Sequence, residues 1–230
     1  MKIFICLTIF VSVLCCDLVD YTSRGDNWKA VCGEGHRQSP IDIQTDSLTH
    51  DHNFGLNWDN LGPMPNSDVD TSCKKIQIRD NNGTWTTTFS RNGTAKNFTF
   101  DHIHFHYGAE HTVDGKRYDT EMHMVHTSED ELLVLGVLFS TEGVANNDDF
   151  LGEMDLSIKT TTVNVKVKEL IEGMSSRSFY HYAGSLTTPP CSEIVNWIVF
   201  SEPQYVSADT LEFMNEHLGE SYRNTQPLNG

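Results

Sequence analysis

The chain has 230 residues, 38% of them hydrophobic, and 16 Lys+Arg against 32 Asp+Glu give it a formal charge of −16. This length supports one full hydrophobic core, and β-rich single domains commonly reach it, so no second domain is expected. The charge argues against nucleic acid and anionic membrane surfaces as partners, because both depend on Lys/Arg contacts to phosphate; its default role is solubility, with calcium or mineral association the weaker reading.

Met1-Lys2 followed by the apolar run from Ile3 to Leu14 reads as the n-region and h-region of a secretory signal. The run is shorter than the ~20 residues that span a bilayer. Cleavage is expected near Cys16, which divides the chain into a signal peptide over 1–16 and one domain over 17–230, secreted and without a membrane span. Cys6, Cys15 and Cys16 go with the leader, leaving Cys32, Cys73 and Cys191 in the mature chain. Residues 17–37 are polar, punctuated by Tyr21 and Trp28, and read as an irregular arm packed on the surface.

From there short β-like runs alternate with turns, at 75–79, 85–89, 98–107, 118–127, 131–139 and 193–200. The run over 132–139 is apolar on both faces and is expected to be a central strand covered on both sides. Residues 163–171 are ambiguous, with β-like alternation in their first half, while Ser207 caps an amphipathic helical run to Met214. Asn82, Asn92 and Asn97 each open an Asn-x-Thr sequon that suits a secreted glycoprotein.

The chemistry concentrates in His104-Phe105-His106-Tyr107-Gly108 and Glu121-Met122-His123. Alternate side chains of a strand share a face, so His104 and His106 can point at one metal ion while Phe105 and Tyr107 enter packing. His102 cannot complete the set, because it would sit roughly 13 Å from His106 at ~3.3 Å rise per residue. The third ligand must come from another strand. His123 suits it, on a segment able to fold back antiparallel after the turn-like Val113-Asp114-Gly115-Lys116. Three neutral imidazoles leave one tetrahedral position of zinc open for water, the pattern of a catalytic rather than a structural site. Glu121 shares a strand face with His123 and can accept the second N–H of its ring.

These segments, with Gln38-Ser39-Pro40-Ile41-Asp42-Ile43, Ala109-Glu110-His111-Thr112-Val113-Asp114-Gly115 and Gly184-Ser185-Leu186-Thr187-Thr188-Pro189-Pro190, resemble the signature segments of the α-class carbonic anhydrases, in that family's order. The resemblance implies a mainly β (α+β) fold: a large twisted, mostly antiparallel sheet with short peripheral helices and the metal at the floor of a conical cavity. It implies reversible hydration of CO₂ to bicarbonate by zinc-bound hydroxide, with Zn²⁺ as cofactor and CO₂/bicarbonate as partner. Thr187 then resembles the gatekeeper that accepts the hydroxide proton and donates its own to buried Glu110, since an ionised carboxylate only accepts. Val125, Val134, Leu186, Thr187, Thr188 and Trp197 resemble the substrate wall, and Cys32 and Cys191 the disulfide of secreted members. On that pairing Cys73 is left over, as a buried free thiol or, less readily, an intermolecular link. His111 and His126 resemble buried structural residues near Glu110.

Three departures stand out. Thr84 occupies the place where fast relatives carry a proton-shuttling histidine at the cavity mouth, and threonine does not titrate near neutrality. His102 stands where relatives usually have a glutamine behind the first ligand. The chain stops at Gly230, where relatives continue into a last strand. The competing reading is an acidic extracellular matrix or mineral-associated protein on the same fold, with secondary activity.

Overall fold

The computed structural model describes residues 19–80, 83–142, 148–157 and 159–229. Its strands are β1 (Asp42–Ile43), β2 (Phe54–Asn57), β3 (Met64–Asp70), β4 (Gln77–Arg79), β5 (Thr86–Arg91), β6 (Thr94–Tyr107), β7 (Thr112–Val113), β8 (Lys116–Arg117), β9 (Thr120–Thr127), β10 (Leu132–Ser140), β11 (Thr162–Val165), β12 (Phe179–Gly184), β13 (Val195–Phe200) and β14 (Gln204–Tyr205). Four short helices accompany them: α1 (Val31–Glu34), α2 (Phe150–Glu153), α3 (Val167–Gly173) and α4 (Ala208–Leu218).

Eleven strands form one sheet with the order β11-β3-β4-β6-β9-β10-β13-β12, β14 lying beside β10 and the β2-β5 pair beside β6. Within it only β10 pairs in parallel, with β13 and β14, so the sheet is mostly antiparallel as expected. β1, β7 and β8 make a separate three-stranded sheet. The return from β6 to β9 therefore passes through a small hairpin in another sheet, whose turn takes positive φ at Asp114 and Gly115.

The apolar run in β10 is central and covered on both sides. Leu133, Leu135, Val137 and Phe139 enter the larger core, whereas Val134 and Leu138 enter a second cluster with Val125, Tyr182, Trp197 and Val199. Between them Gly136 is required by close approach: a Cβ there would lie 2.9 Å from Oε1 of Glu121. The ambiguous stretch resolves into two elements. Val163 and Val165 are buried in alternation on β11, and Val167, Leu170 and Ile171 are buried at helical spacing on α3. Ser207 caps α4 by accepting from the Thr210 N–H at 3.2 Å.

β6 is not one unbroken alternation. Its pairing with β9 slips between Phe100, opposite His126, and His102, opposite Val125. Asp101 is the extra residue of a β-bulge. Side-chain parity inverts there, so Phe98 and Phe100 before the bulge face the same core as Ile103 and Phe105 after it. Strict alternation from Phe98 would have put those two phenylalanines on the histidine face.

His126 lies on the Met122 and Met124 face of β9, opposite to Glu121 and His123, which corrects its expected place near Glu110. Its ring sits between the Thr87 hydroxyl at 3.0 Å and the Met124 carbonyl at 3.2 Å. Burial pushes its pKa down to about 4, against the opposing pull of the Met124 and Leu133 carbonyls. The unfolded chain then binds the extra proton between about pH 6.5 and 4, so stability is full above that window and falls as pH drops through it, by roughly 3 kcal/mol for this ring. The expected result is an NMR titration with His126 still neutral at pH 5. A midpoint near 6.5 would refute it.

Candidate metal centre

Antiparallel pairing of β6 with β9 sets His104 directly opposite His123, and His106 follows two residues on. The three ring centroids are 5.1, 5.0 and 4.7 Å apart in the pairs His104/His106, His104/His123 and His106/His123. One nitrogen from each falls within 4.8 Å of the other two. Nε2 of His104 lies 3.2 Å from Nδ1 of His123. Nε2 of His106 is buried without a hydrogen-bond partner, 3.4 Å from Oε2 of Glu110.

The opposite nitrogen of every ring is engaged. His104 Nδ1 meets His102 Nε2 at 3.0 Å, His106 Nδ1 donates to the Ser221 carbonyl at 2.5 Å, and His123 Nε2 donates to Glu121 Oε1 at 2.8 Å. Burial holds His104 well below the usual histidine range, assisted by its histidine neighbours, and it lowers His123 against the pull of Glu121. With their outer nitrogens engaged in this way, the three rings each turn a nitrogen inward. That donor set, with an orphaned buried nitrogen among it, fits a metal ion held by three imidazoles.

Glu121 is fully buried. Its Oε2 accepts the N–H groups of Glu110 and His111 at 2.8 Å each, and its Oε1 takes the rings of His111 at 2.7 Å and His123 at 2.8 Å. Burial alone would raise this carboxyl, but the interactions with His111 and His123 outweigh it and hold it well below the carboxylate range. His111 is buried and hydrogen-bonded, as expected, although its partner is Glu121 rather than Glu110. Its other nitrogen meets the Tyr182 hydroxyl at 2.7 Å, and Tyr182 meets Ser39 at 2.9 Å.

The histidines open onto a cavity of about 1130 Å³, whose lining includes all six expected wall residues, Val125, Val134, Leu186, Thr187, Thr188 and Trp197. Trp197 is pinned by donation from its indole N–H to the Ser185 carbonyl at 3.0 Å. Glu110 lies behind the wall, fully buried, its Oε1 accepting the Arg223 N–H at 2.9 Å. Its Oε2 has no hydrogen-bond partner, so the expected Thr187 to Glu110 bond is not formed in this structure.

Cys32 and Cys191 are bridged, with Cα atoms 5.0 Å apart. The Cys191 N–H donates to the Thr188 carbonyl at 2.9 Å, which ties the bridge to the Thr187-Thr188 turn. Cys73 is itself disulfide-bonded and only partly buried, which corrects the expectation of a free buried thiol. Thr84 is exposed and does not line the cavity, and Asn82 lies outside the described residues. Asn92 and Asn97 are both exposed. Asn92 also has a purely structural reason to be present, since it and Gly93 take the positive φ values of the tight β5-β6 turn.

Several contributors have no motif. Tyr21 comes from the N-terminal arm and lines the cavity, its hydroxyl pKa raised by burial and by the charge of Glu110. Ser221 acts through a backbone carbonyl, which no side-chain pattern reveals. Arg223 is buried and carries its guanidinium to Gln38 Oε1, the Ser39 carbonyl and the Cys32 carbonyl at 3.0, 2.8 and 2.6 Å.

A large mixed sheet presents three convergent imidazoles beside an apolar wall, an arrangement compatible with a bound metal ion. The eukaryotic-type carbonic anhydrase family model matches residues 23–230, and the chain belongs to that family, whose activity is carbonate dehydratase. Alpha carbonic anhydrase 5 of Arabidopsis thaliana is 32% identical over 227 residues, covering 91% of this chain and 80% of that protein. Putative carbonic anhydrase 3 of Caenorhabditis elegans is 32% identical over 220 residues, covering 85% and 88%. Among solved structures, the halotolerant carbonic anhydrase of Dunaliella salina superposes with a TM-score of 0.77 at 26% identity, over 93% of this chain and 96% of that one. The α-carbonic anhydrase of Photobacterium profundum gives 0.73 at 30% identity, over 92% and 97%.

Proposed function

We propose that the protein is a secreted zinc enzyme that interconverts CO₂ and bicarbonate, with His104, His106 and His123 as the metal ligands. The observation that carries this reading is the inward convergence of three lone-pair nitrogens whose opposite nitrogens are each hydrogen-bonded. A zinc ion held by these three rings would lower the pKa of a bound water toward neutrality and so would supply the nucleophile. The chain's own residues do the rest. Glu121 and Ser221 fix the ligand tautomers, Val125, Val134, Leu186 and Trp197 offer CO₂ an apolar niche, and Thr187 orients the nucleophile once its hydroxyl donates to the free Oε2 of Glu110. Stopped-flow CO₂ hydration before chelation, after it and after zinc is restored tests the reading; activity indifferent to the chelator overturns it.

The Cys32–Cys191 bridge favours an oxidising route, and exposed Asn92 and Asn97 are open to glycosylation. The leader over 1–16 lies outside the described residues, of which no helix is long and apolar enough to cross a membrane. Among the described residues, every histidine lining the cavity is one of the three ligands or His102. Turnover is therefore expected to rise with the concentration of an imidazole-type buffer while kcat/KM for CO₂ stays nearly constant, because proton release follows the steps that kcat/KM covers. A kcat indifferent to buffer would show that another group carries the proton.

A further inference from the structure

We propose that Asp101 and His102 form a relay behind His104, in which Asp101 positions this metal ligand by setting the tautomer of the His102 ring. The inference rests on the reading of His104 as a ligand. Neighbouring residues of an unbroken strand point to opposite faces, so Asp101 and His102 should be out of reach of one another. The bulge at Asp101 removes that obstacle, and Oδ2 of Asp101 stands 2.5 Å from Nδ1 of His102. Arg79 holds the same carboxylate oxygen, Nη1 to Oδ2 at 3.1 Å.

An ionised carboxylate only accepts, so Nδ1 of a neutral His102 must carry the hydrogen and Nε2 is left with its lone pair. That lone pair is 3.0 Å from Nδ1 of His104, which donates to it. His104 Nε2, the atom turned toward His123, is then free of a proton. The other His102 tautomer would aim an N–H at His104, shift the His104 proton to Nε2 and block the metal. A glutamine at this position needs no such help, because its amide oxygen is an acceptor by constitution. Asp101 does not line the cavity and acts only through His102.

The test is a double-mutant cycle on the zinc-loaded protein, reading the rate of zinc release to excess chelator. Asp101→Ala is expected to accelerate release about tenfold in the His102 background, the lower end of the range for a lost ligand partner. His102→Gln supplies an acceptor that does not depend on Asp101, so adding Asp101→Ala to it should leave the release rate of that background unchanged. Equal acceleration in both backgrounds, or none in either, overturns the relay. Imidazole ¹⁵N spectra of the metal-free wild-type protein give a second readout that does not depend on folding of the variants: His102 should carry its hydrogen on Nδ1, and a hydrogen on Nε2 overturns the proposal. A wild-type protein that takes up no zinc would instead sink the metal-site reading, and the spectra would still decide the tautomer.

Discussion

His106→Ala is expected to strip the protein of stoichiometric zinc and to lower CO₂ hydration to the uncatalysed background. The ring is buried, its Nδ1 is committed to the Ser221 carbonyl, and its Nε2 makes no hydrogen bond. Removing it leaves two inward nitrogens where an open catalytic zinc site needs three. His104→Ala and His123→Ala should do the same, and His123→Ala also deprives Glu121 of one of its four donors. His102→Ala should keep zinc bound but release it faster, as expected for a residue behind a ligand. Metal analysis of the purified variants checks this: zinc lost from the His102 variant and retained by the His106 variant would reverse the assignment.

Removal of the Cys32–Cys191 bridge, in the double Cys32→Ser, Cys191→Ser variant, is expected to lower stability by about 5 kcal/mol on the chain-entropy view. The bridge joins residues separated by 159 positions, so it closes a long loop in the unfolded chain. Both half-cystines are buried, and their surroundings are shared with the site: the Cys32 carbonyl accepts from Arg223, and the Cys191 carbonyl accepts from Gln38. The loss should therefore extend to ordering of the Thr187-Thr188 turn. Urea unfolding of the two proteins measures it, and a difference under about 1 kcal/mol would contradict a constraint of this length.

The convergence of His104, His106 and His123 was legible because a strand has period two and metal–imidazole bonds are short. Those facts select His104 and His106, exclude His102, and demand a third imidazole from a neighbouring strand. The wall residues and the disulfide were legible only through resemblance, since Val134 or Trp197 taken alone is an ordinary core residue. Local periodicity does not show the bulge at Asp101, which has no residue signature and which exchanges the faces of Phe98 and Phe100 relative to Ile103 and Phe105.

By itself the sequence determined a β-rich chain with a three-histidine site, because hydrophobic alternation and ligand spacing are local properties that every residue carries with it. Only the tertiary structure decided which groups stand behind those ligands. Ser221, Arg223 and Tyr21 come from the chain ends to reach residues 106 and 110, and His126 is turned to the far face of β9. Contacts of that separation depend on register and loop path, and one of the decisive atoms is a backbone carbonyl that any residue type would supply.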